Sequence, residues 1–323
     1  MNETNITSNA TTLYAFTFPP MLIAFMTLQQ LVFVVACIGN GLVIFIFVRH
    51  LKFKSNTNKF IVSLAFADFF TGISCGTQML YFFYPKMSSN MILCILRYQV
   101  ITVMTLTSQL TVGVAAFDRY LAICHPHKYA LVITRSTSNI MCILPWILPT
   151  YVILGPMLGW RNWYPGIPCS FDIIFPKSLR ATAYIIVYIV SIITAILYLP
   201  VLKTAWRYYQ RMNKYQQNQT RDHMQTTNKM KKAILGAKVT GIVTIAFSIF
   251  WLPYMTLSSW IMVSPTAKSK LESDLANWLV FFGASNSIVN PIIYAWKRPD
   301  VNQQFKKVFC GSKPVSHVEH IKT

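Results

Sequence analysis

Two acidic groups within long apolar stretches are the residues of this chain most suited to do chemistry. Asp68 stands in the middle of one apolar run, and Asp118 is followed by Arg119 and Tyr120 at the end of another. An ionisable side chain is costly in an apolar environment, so its presence there indicates a functional role by default. Four uncharged polar side chains lie at matching depth within apolar runs: Asn40, Ser108, Asn286 and Asn290.

Enzymatic chemistry has little support in the sequence. His125 and His127 flank Pro126 in a connecting segment, but no carboxylate or cysteine cluster stands near them that would suggest a metal ion or a nucleophile. We therefore expect a protein that is not an enzyme and that has no resident cofactor.

The elements that must position these residues are long apolar helices. The chain has 323 residues, of which 54% are hydrophobic and 12% are charged, so lipid must serve as part of its solvent. The runs are continuous and reach about 20 residues, which favours an all-α bundle over the alternating strands of a barrel. The predicted spans are 21–49, 58–84, 91–124, 136–159, 179–208, 231–262 and 275–297.

The bundle is expected between a tail at 1–20 and a short amphipathic helix with a tail at 298–323. The net charge is +20, and most of the 29 lysines and arginines follow the first, third and fifth spans or lie beyond the seventh. The positive-inside rule places these segments in the cytoplasm, and a basic surface facing anionic lipid explains the charge without a nucleic acid. We therefore expect a multi-pass protein of the plasma membrane.

Modification signals agree with this orientation. Three glycosylation sequons begin at Asn2, Asn5 and Asn9, in a tail that has to be extracellular for their use. Cys94 and Cys169 both fall on the oxidising side, so we expect a disulfide bond between them. Cys310 follows a basic amphipathic stretch, which suits either palmitoylation or an unmodified cysteine at the interface.

Six motifs in order resemble the rhodopsin-like (class A) G-protein-coupled receptors over essentially the whole chain. Each falls on the matching span, and the cysteine pair accompanies them. The motifs are Asn40 within Gly39–Val43, Leu64–Asp68, Asp118-Arg119-Tyr120, Trp146, Phe247–Pro253 and Asn290–Tyr294.

This resemblance implies a mechanism with two polar sites. Asp68, Ser108, Asn286 and Asn290 would line a water-filled pocket that binds a sodium ion, or else only hydrogen-bond one another and water. Trp251 and Phe247 would connect this pocket to the ligand. Arg119 would pair with Asp118 at rest, and it would meet a heterotrimeric G protein when the sixth helix swings outward. Tyr198 and Tyr294 would turn inward to support Arg119.

Two departures from the family pattern concern this mechanism. Many relatives carry an acid near the inner end of the sixth helix, where this chain has Ala233, so we expect appreciable activity without ligand. The usual proline of the fifth helix is replaced by Val190, which leaves the bulge that it supports in doubt.

The ligand has to be inferred from the outer third of the bundle. Amine receptors need an acid where this chain has Ile101, and opsins need a lysine where it has Ala284. The positive resemblance is to adenosine receptors, in Pro156–Trp160 and Cys169–Asp172. It implies a small, purine-like extracellular ligand held by six side chains: Phe171, Asp172, Thr105, Thr102, Trp251 and Ser258.

Several adenosine contacts are nevertheless missing. Ser258 replaces the asparagine that reads the purine, and Gly283 and Ala284 replace the residues that hold the ribose. A receptor for a small lipid or peptide therefore stays open as the alternative. A transporter or channel is the alternative from another class, but the paired broken helices or charge rings that it needs are not visible.

Overall fold

The computed structural model describes residues 20–51, 55–214, 221–264 and 269–310. The predicted glycosylation sites at Asn2, Asn5 and Asn9 lie outside these ranges, as does the side chain of Cys310. Helices account for most of the described residues. In chain order they are α1 (Pro20–Ile46), α2 (Asn56–Phe83), α3 (Pro85–Ser89), α4 (Met91–Cys124), α5 (Pro126–Val132), α6 (Arg135–Ile147), α7 (Thr150–Met157), α8 (Phe171–Ile174), α9 (Lys177–Lys214), α10 (Arg221–Val263), α11 (Lys270–Ala284), α12 (Asn286–Lys297) and α13 (Pro299–Cys310).

Seven spans in the described residues are long and apolar enough to cross a membrane. Five of them correspond to α1, α2, α4, α9 and α10, and α1 continues into a π-helical turn at Phe47–Leu51. The fourth span joins α6 and α7, and the seventh joins α11 and α12. The prediction of an all-α bundle with seven transmembrane helices and a short C-terminal helix is confirmed.

Prolines explain the irregular helices. Pro149 separates α6 from α7, because it has no N–H to donate. Pro200 and Pro253 instead lie inside the continuous helices α9 and α10. Neighbouring helices pack along both of these elements, which allows a bundle to tolerate a missing backbone hydrogen bond.

The third span, α4, occupies the centre of the bundle. It packs against α2, α6, α7, α9 and α10. We therefore use α4 as the reference for direction and name the two ends of the bundle after residues near its two ends. We call the end near Cys94 the disulfide end and the end near Arg119 the arginine end.

A disulfide bond joins Cys94, in the first turn of α4, to Cys169, just before α8. The Cα atoms are 5.9 Å apart, and the Tyr98 hydroxyl donates a 3.1 Å hydrogen bond to the Cys169 carbonyl oxygen. The predicted bond is therefore confirmed, and it holds α8 against the top of α4.

Removal of this bond is expected to destabilise the disulfide end. The double substitution Cys94→Ser and Cys169→Ser should lower the free energy of unfolding by about 2–5 kcal/mol, because the loop becomes free in the unfolded chain. The midpoint of thermal unfolding of the purified chain measures this effect. Cys142→Ser, at a free and half-buried cysteine, is the matched control and should shift the midpoint much less. Equal midpoints for both variants would contradict the expectation.

Candidate functional site

A cavity of about 300 Å³ opens between the helices at the disulfide end. α1, α2, α4, α7, α9, α10 and α11 contribute to its walls, and α8 closes part of its mouth. All of the side chains predicted to bind a ligand line this one cavity: Thr102, Thr105, Phe171, Asp172, Trp251 and Ser258. The structure thus brings these residues together, and their binding role stays a prediction.

Aromatic rings cluster where α8 meets the cavity. The ring centre of Phe171 lies 5.8 Å from that of Tyr98 and 5.3 Å from that of Phe175. The ring of Phe171 is half-buried, so part of its surface is covered by these neighbours and part is open. Phe171 thus packs the loop against its neighbours, and it also lines the cavity, as its predicted role as a ligand contact requires.

Asp172 forms an ion pair with Arg180, a residue that the sequence analysis missed. Arg180 Nη1 donates a 2.6 Å hydrogen bond to Asp172 Oδ1. The arginine lies in the first turn of α9 and is only 6% exposed. The sequence feature that could have identified Arg180 is a cationic residue at the outer end of an apolar run, directly after the loop that carries Asp172.

Ser258 is hydrogen-bonded to another side chain in this structure. Its Oγ and the Tyr184 hydroxyl are 2.5 Å apart, and both groups are buried. The serine that stands where adenosine receptors carry a purine-reading asparagine therefore joins α10 to α9. A ligand that uses Ser258 has to share it with Tyr184.

Gly283 makes room for the indole ring of Trp251. A Cβ atom at position 283 would lie 2.7 Å from Trp251 Cε3, closer than such atoms approach one another. Trp251 also packs at a ring-centre distance of 6.4 Å from Phe247, one helical turn away. The tryptophan thus fills the space where a side chain at 283 would lie, at the floor of the cavity.

The polar cluster around Asp68 is the second candidate site. Asp68 is 1% exposed and accepts hydrogen bonds from Ser287 Oγ at 2.9 Å and from Asn290 Nδ2 at 2.6 Å. Asn40 Nδ2 donates to the Ser287 carbonyl oxygen at 2.8 Å. The sequence analysis missed Ser287, although it precedes Asn290 by three residues and so shares its helix face.

Among the polar residues that the sequence places at this depth, four side-chain oxygen atoms have no hydrogen-bond partner within the described part of the chain. Each belongs to a residue that is at most 3% exposed. Such buried acceptors call for water or a cation. They are Asn40 Oδ1, Ser108 Oγ, Asn286 Oδ1 and Asn290 Oδ1.

At the arginine end, Arg119 pairs with the adjacent Asp118. Arg119 Nε donates a 2.9 Å hydrogen bond to Asp118 Oδ2, and the Nη2 atom contacts the same oxygen. Arg119 also lies against α10, where a Cβ added to Gly236 would be 3.0 Å from the guanidinium. The Tyr198 hydroxyl donates a 3.3 Å hydrogen bond to the Ala237 carbonyl oxygen. Arg119 and Tyr198 therefore both contact α10, and Asp118 adjoins it through Arg119.

Tyr129, in α5, completes the surroundings of Asp118. Its hydroxyl donates a 2.9 Å hydrogen bond to Asp118 Oδ1. Burial raises the pKa of Tyr129, and the Asp118 carboxylate raises it further, so the hydroxyl keeps its proton at neutral pH. The sequence analysis missed this residue, because its partner is 11 positions away across a helix boundary.

Tyr120 and Tyr294 lie in different surroundings. The Tyr120 hydroxyl is 3.0 Å from His125 Nε2. Tyr294 is 1% exposed and packs in an apolar cluster with Val43, Ile61 and Val239. The Tyr120 hydroxyl thus contacts His125, and Tyr294 lies among apolar side chains, so the support of Arg119 predicted for Tyr294 requires movement.

A bundle of seven spans, with a cavity at one end and a paired arginine at the other, defines a seven-helix membrane receptor. A family model described as "7 transmembrane receptor (rhodopsin family)" matches residues 39–294. The chain belongs to this family of G-protein-coupled receptors, which is a family of receptors and not of enzymes.

Known relatives include both opsins and adenosine receptors. The chain is 27% identical to "Rhodopsin, GQ-coupled" of Mizuhopecten yessoensis over 293 residues, which cover 85% of this chain and 58% of that protein. It is 25% identical to "Adenosine receptor A2a" of Canis lupus familiaris over 306 residues, 88% of this chain and 71% of the relative. It is 24% identical to "Adenosine receptor A2b" of Homo sapiens over 311 residues, 88% and 89% of the two chains.

Substitution of Gly283 tests the packing of Trp251. Gly283→Ala should cost about 1–3 kcal/mol of stability, because the new Cβ overlaps the indole ring and forces it to move. The midpoint of thermal unfolding of the purified receptor measures this cost. Gly41→Ala is the matched control, since its Cβ would lie at an ordinary 3.6 Å from Phe69. If both variants unfold at the same temperature, the indole ring has room that the structure does not show.

Proposed function

We propose that this receptor transmits the binding of a small extracellular ligand to a heterotrimeric G protein. The observation that carries the proposal is the path of α10. This helix presents Trp251 to the cavity and Gly236 to Arg119, 15 residues and about 22 Å apart along the axis. A ligand that shifts Trp251 therefore acts on the same rigid element that covers Arg119.

The geometry at the arginine end corresponds to a resting state. Arg119 is paired with Asp118 and faces Gly236, and the hydrogen bond from Tyr198 to Ala237 also holds α10 inward. Outward movement of α10 would break this bond and expose Arg119 to the G protein. A ligand favours the outward state only to the extent that it binds the outward state more tightly than the resting state. Tyr198 and Tyr294 would then turn toward Arg119.

The Asp68 cluster suits an allosteric sodium ion between the two ends. The partnerless oxygens of Ser108, Asn286 and Asn290 are of the type that a hard cation prefers, and Asp68 supplies the charge. A bound ion would stabilise the buried carboxylate. The protein's own contribution is to hold these side chains in place, through the hydrogen bonds from Ser287 and Asn290.

In the proposed orientation the disulfide end is extracellular and the arginine end is cytoplasmic, in the plasma membrane. The distribution of lysine and arginine in the sequence supports it. So does the disulfide bond, which forms in an oxidising compartment. The tail would carry glycans at Asn2, Asn5 and Asn9, and Cys310 would be a palmitoylation site near the inner lipid surface.

A purine-like molecule is the proposed ligand class. The adenosine receptors among the relatives support it, as does the position of Phe171 in the cavity. The match to an opsin carries less weight for the ligand, since Ala284 cannot form a Schiff base. The ribose subsite of adenosine receptors is changed, because Gly283 and Ala284 offer no polar side chain and Trp251 packs on Gly283.

A purine panel tests the function and the ligand together. Cells that express the receptor are exposed to adenine, adenosine and their phosphates, and cyclic-nucleotide and calcium responses are recorded. Phe171→Ala should weaken a purine response about tenfold, because a stacking surface of this size contributes about 1.5 kcal/mol. Phe45→Ala, at a ring that is 50% exposed on α1, should leave it unchanged. Silence across the panel contradicts the purine class and favours a lipid or peptide ligand.

Basal signalling tests the restraint on α10. Among the side chains of this helix that the structure describes, none is an acidic partner of Arg119, and Ala233 packs beside Ala237 and Tyr198. We expect second-messenger output above that of mock-transfected cells without ligand. Ala233→Glu should reduce this output about two- to fivefold, the effect of one ion pair of up to about 1 kcal/mol. Ala233→Gln controls for side-chain size. Output no higher than in mock-transfected cells would refute the expectation.

A further inference from the structure

The cavity carries one excess positive charge. Among the described residues that line it, the groups charged at neutral pH are Arg97, Arg180 and Asp172. Arg180 and Asp172 form an ion pair, so their charges offset one another. Arg97 has no carboxylate within ion-pairing distance in the described ranges. The charge that is left for a ligand is therefore that of Arg97.

Arg97 is held in place, but its Nη atoms make no hydrogen bond to the described residues. Its Nε donates a 2.9 Å hydrogen bond to Gln78 Oε1, and the group lies 5.0 Å from the ring centre of Tyr81 and 5.3 Å from that of Tyr98. These contacts orient the guanidinium without neutralising it. The Nη atoms make no hydrogen bond within the described part of the chain, and they are the pair of donors that bind a carboxylate or phosphate side by side.

The second arginine strengthens the positive character of the same wall. The Arg180 guanidinium lies 5.9 Å from the ring centre of Phe171, which in turn lies 5.8 Å from that of Tyr98. Arg180 Nε is buried and has no hydrogen-bond partner in the described residues. A buried guanidinium with an open donor favours a nearby anion or acceptor. Both cations thus adjoin the aromatic pair that would contact a flat ligand.

We infer that the ligand of this cavity is an anion, with a flat apolar body against Phe171 and Tyr98 and a carboxylate or phosphate group bound by Arg97. This inference rests on the proposed function, because it takes the cavity as the ligand site. It changes the expected purine from a neutral nucleoside to one that bears an acidic group. A neutral ligand would leave Arg97 without a counter-charge in a cleft that no other described residue neutralises.

Matched pairs of probes test the inference. The purified full-length receptor is placed in phosphatidylcholine nanodiscs, and binding is measured by the shift in thermal midpoint and by titration. Adenosine is compared with adenosine 5′-monophosphate for the phosphate arm, and tryptophol with indole-3-acetate for the carboxylate arm. At least one anion should bind more tightly than its neutral partner, and the arm that responds identifies the acidic group.

Substitutions assign the preference to Arg97. Arg97→Gln should weaken the anion roughly tenfold to a hundredfold, the value of a hydrogen-bonded charge, and should leave the neutral partner unaffected. Arg97→Lys should keep part of the preference for the anion, and it provides a second test if the glutamine variant does not fold. Arg180→Gln combined with Asp172→Asn keeps the net charge of the cavity and should reduce the preference less than Arg97→Gln does. Lys177→Gln removes an exposed charge outside the cavity lining and is the matched control.

The outcomes separate this inference from the proposed function. Equal or tighter binding of both neutral probes, binding of none of the four, or a preference that survives Arg97→Gln overturns the inference. A neutral agonist that signals through the cavity overturns it too, but leaves the proposed function standing. Conversely, Arg97-dependent anion binding with no G-protein response supports the inference and counts against the proposed function.

Discussion

Polar groups inside the seven spans have to find partners within the protein, since hydrocarbon offers none. Asp68 shows how this constraint organises the bundle. Its carboxylate accepts from Ser287 and Asn290 on α12, and Asn40 on α1 donates to the backbone of the same turn. The hydrogen bonds of Asp68 and Asn40 therefore tie α2 and α1 to the same turn of α12. The buried oxygens of Asn40 and Asn290 that lack a partner in the described residues support the proposal that water or an ion lies in this region.

The same constraint makes α10 the element on which both ends of the molecule depend. Trp251 and Ser258 are part of the cavity, while Gly236 and Ala237 face Arg119 and Tyr198. At the arginine end, one hydrogen bond to a backbone carbonyl and the close approach of Gly236 add to the apolar packing of Ala237 against Ala116 and Val201. We propose that a ligand in the cavity shifts the balance between two arrangements of this end through the same helix.

Local pattern predicted the elements well, because each span is an apolar run that lipid requires to be helical. It also predicted the disulfide bond. The resemblance to adenosine receptors, rather than local pattern, supplied the six candidate ligand contacts that the structure brings to one cavity: Thr102, Thr105, Phe171, Asp172, Trp251 and Ser258. The breaks at Pro149 and Ser285 divided two predicted helices. The pairings of Asp172 with Arg180 and of Asp118 with Tyr129 were missed, because they join different elements and depend on how helices rotate against one another.

These missed pairings change what the cavity selects. Asp172 taken alone is an acceptor for a ligand amine, which was its expected role. Once Arg180 is bonded to it, the acid is partly occupied and the uncompensated charge in the cavity is positive. Ser258 is likewise hydrogen-bonded to Tyr184, and the indole ring of Trp251 occupies the space that a side chain at Gly283 would need. Ser258 and Gly283, two positions that depart from the adenosine receptors, thus each have a partner within the chain, and this consistency supports the proposal that the cavity is adapted to a ligand other than a neutral nucleoside.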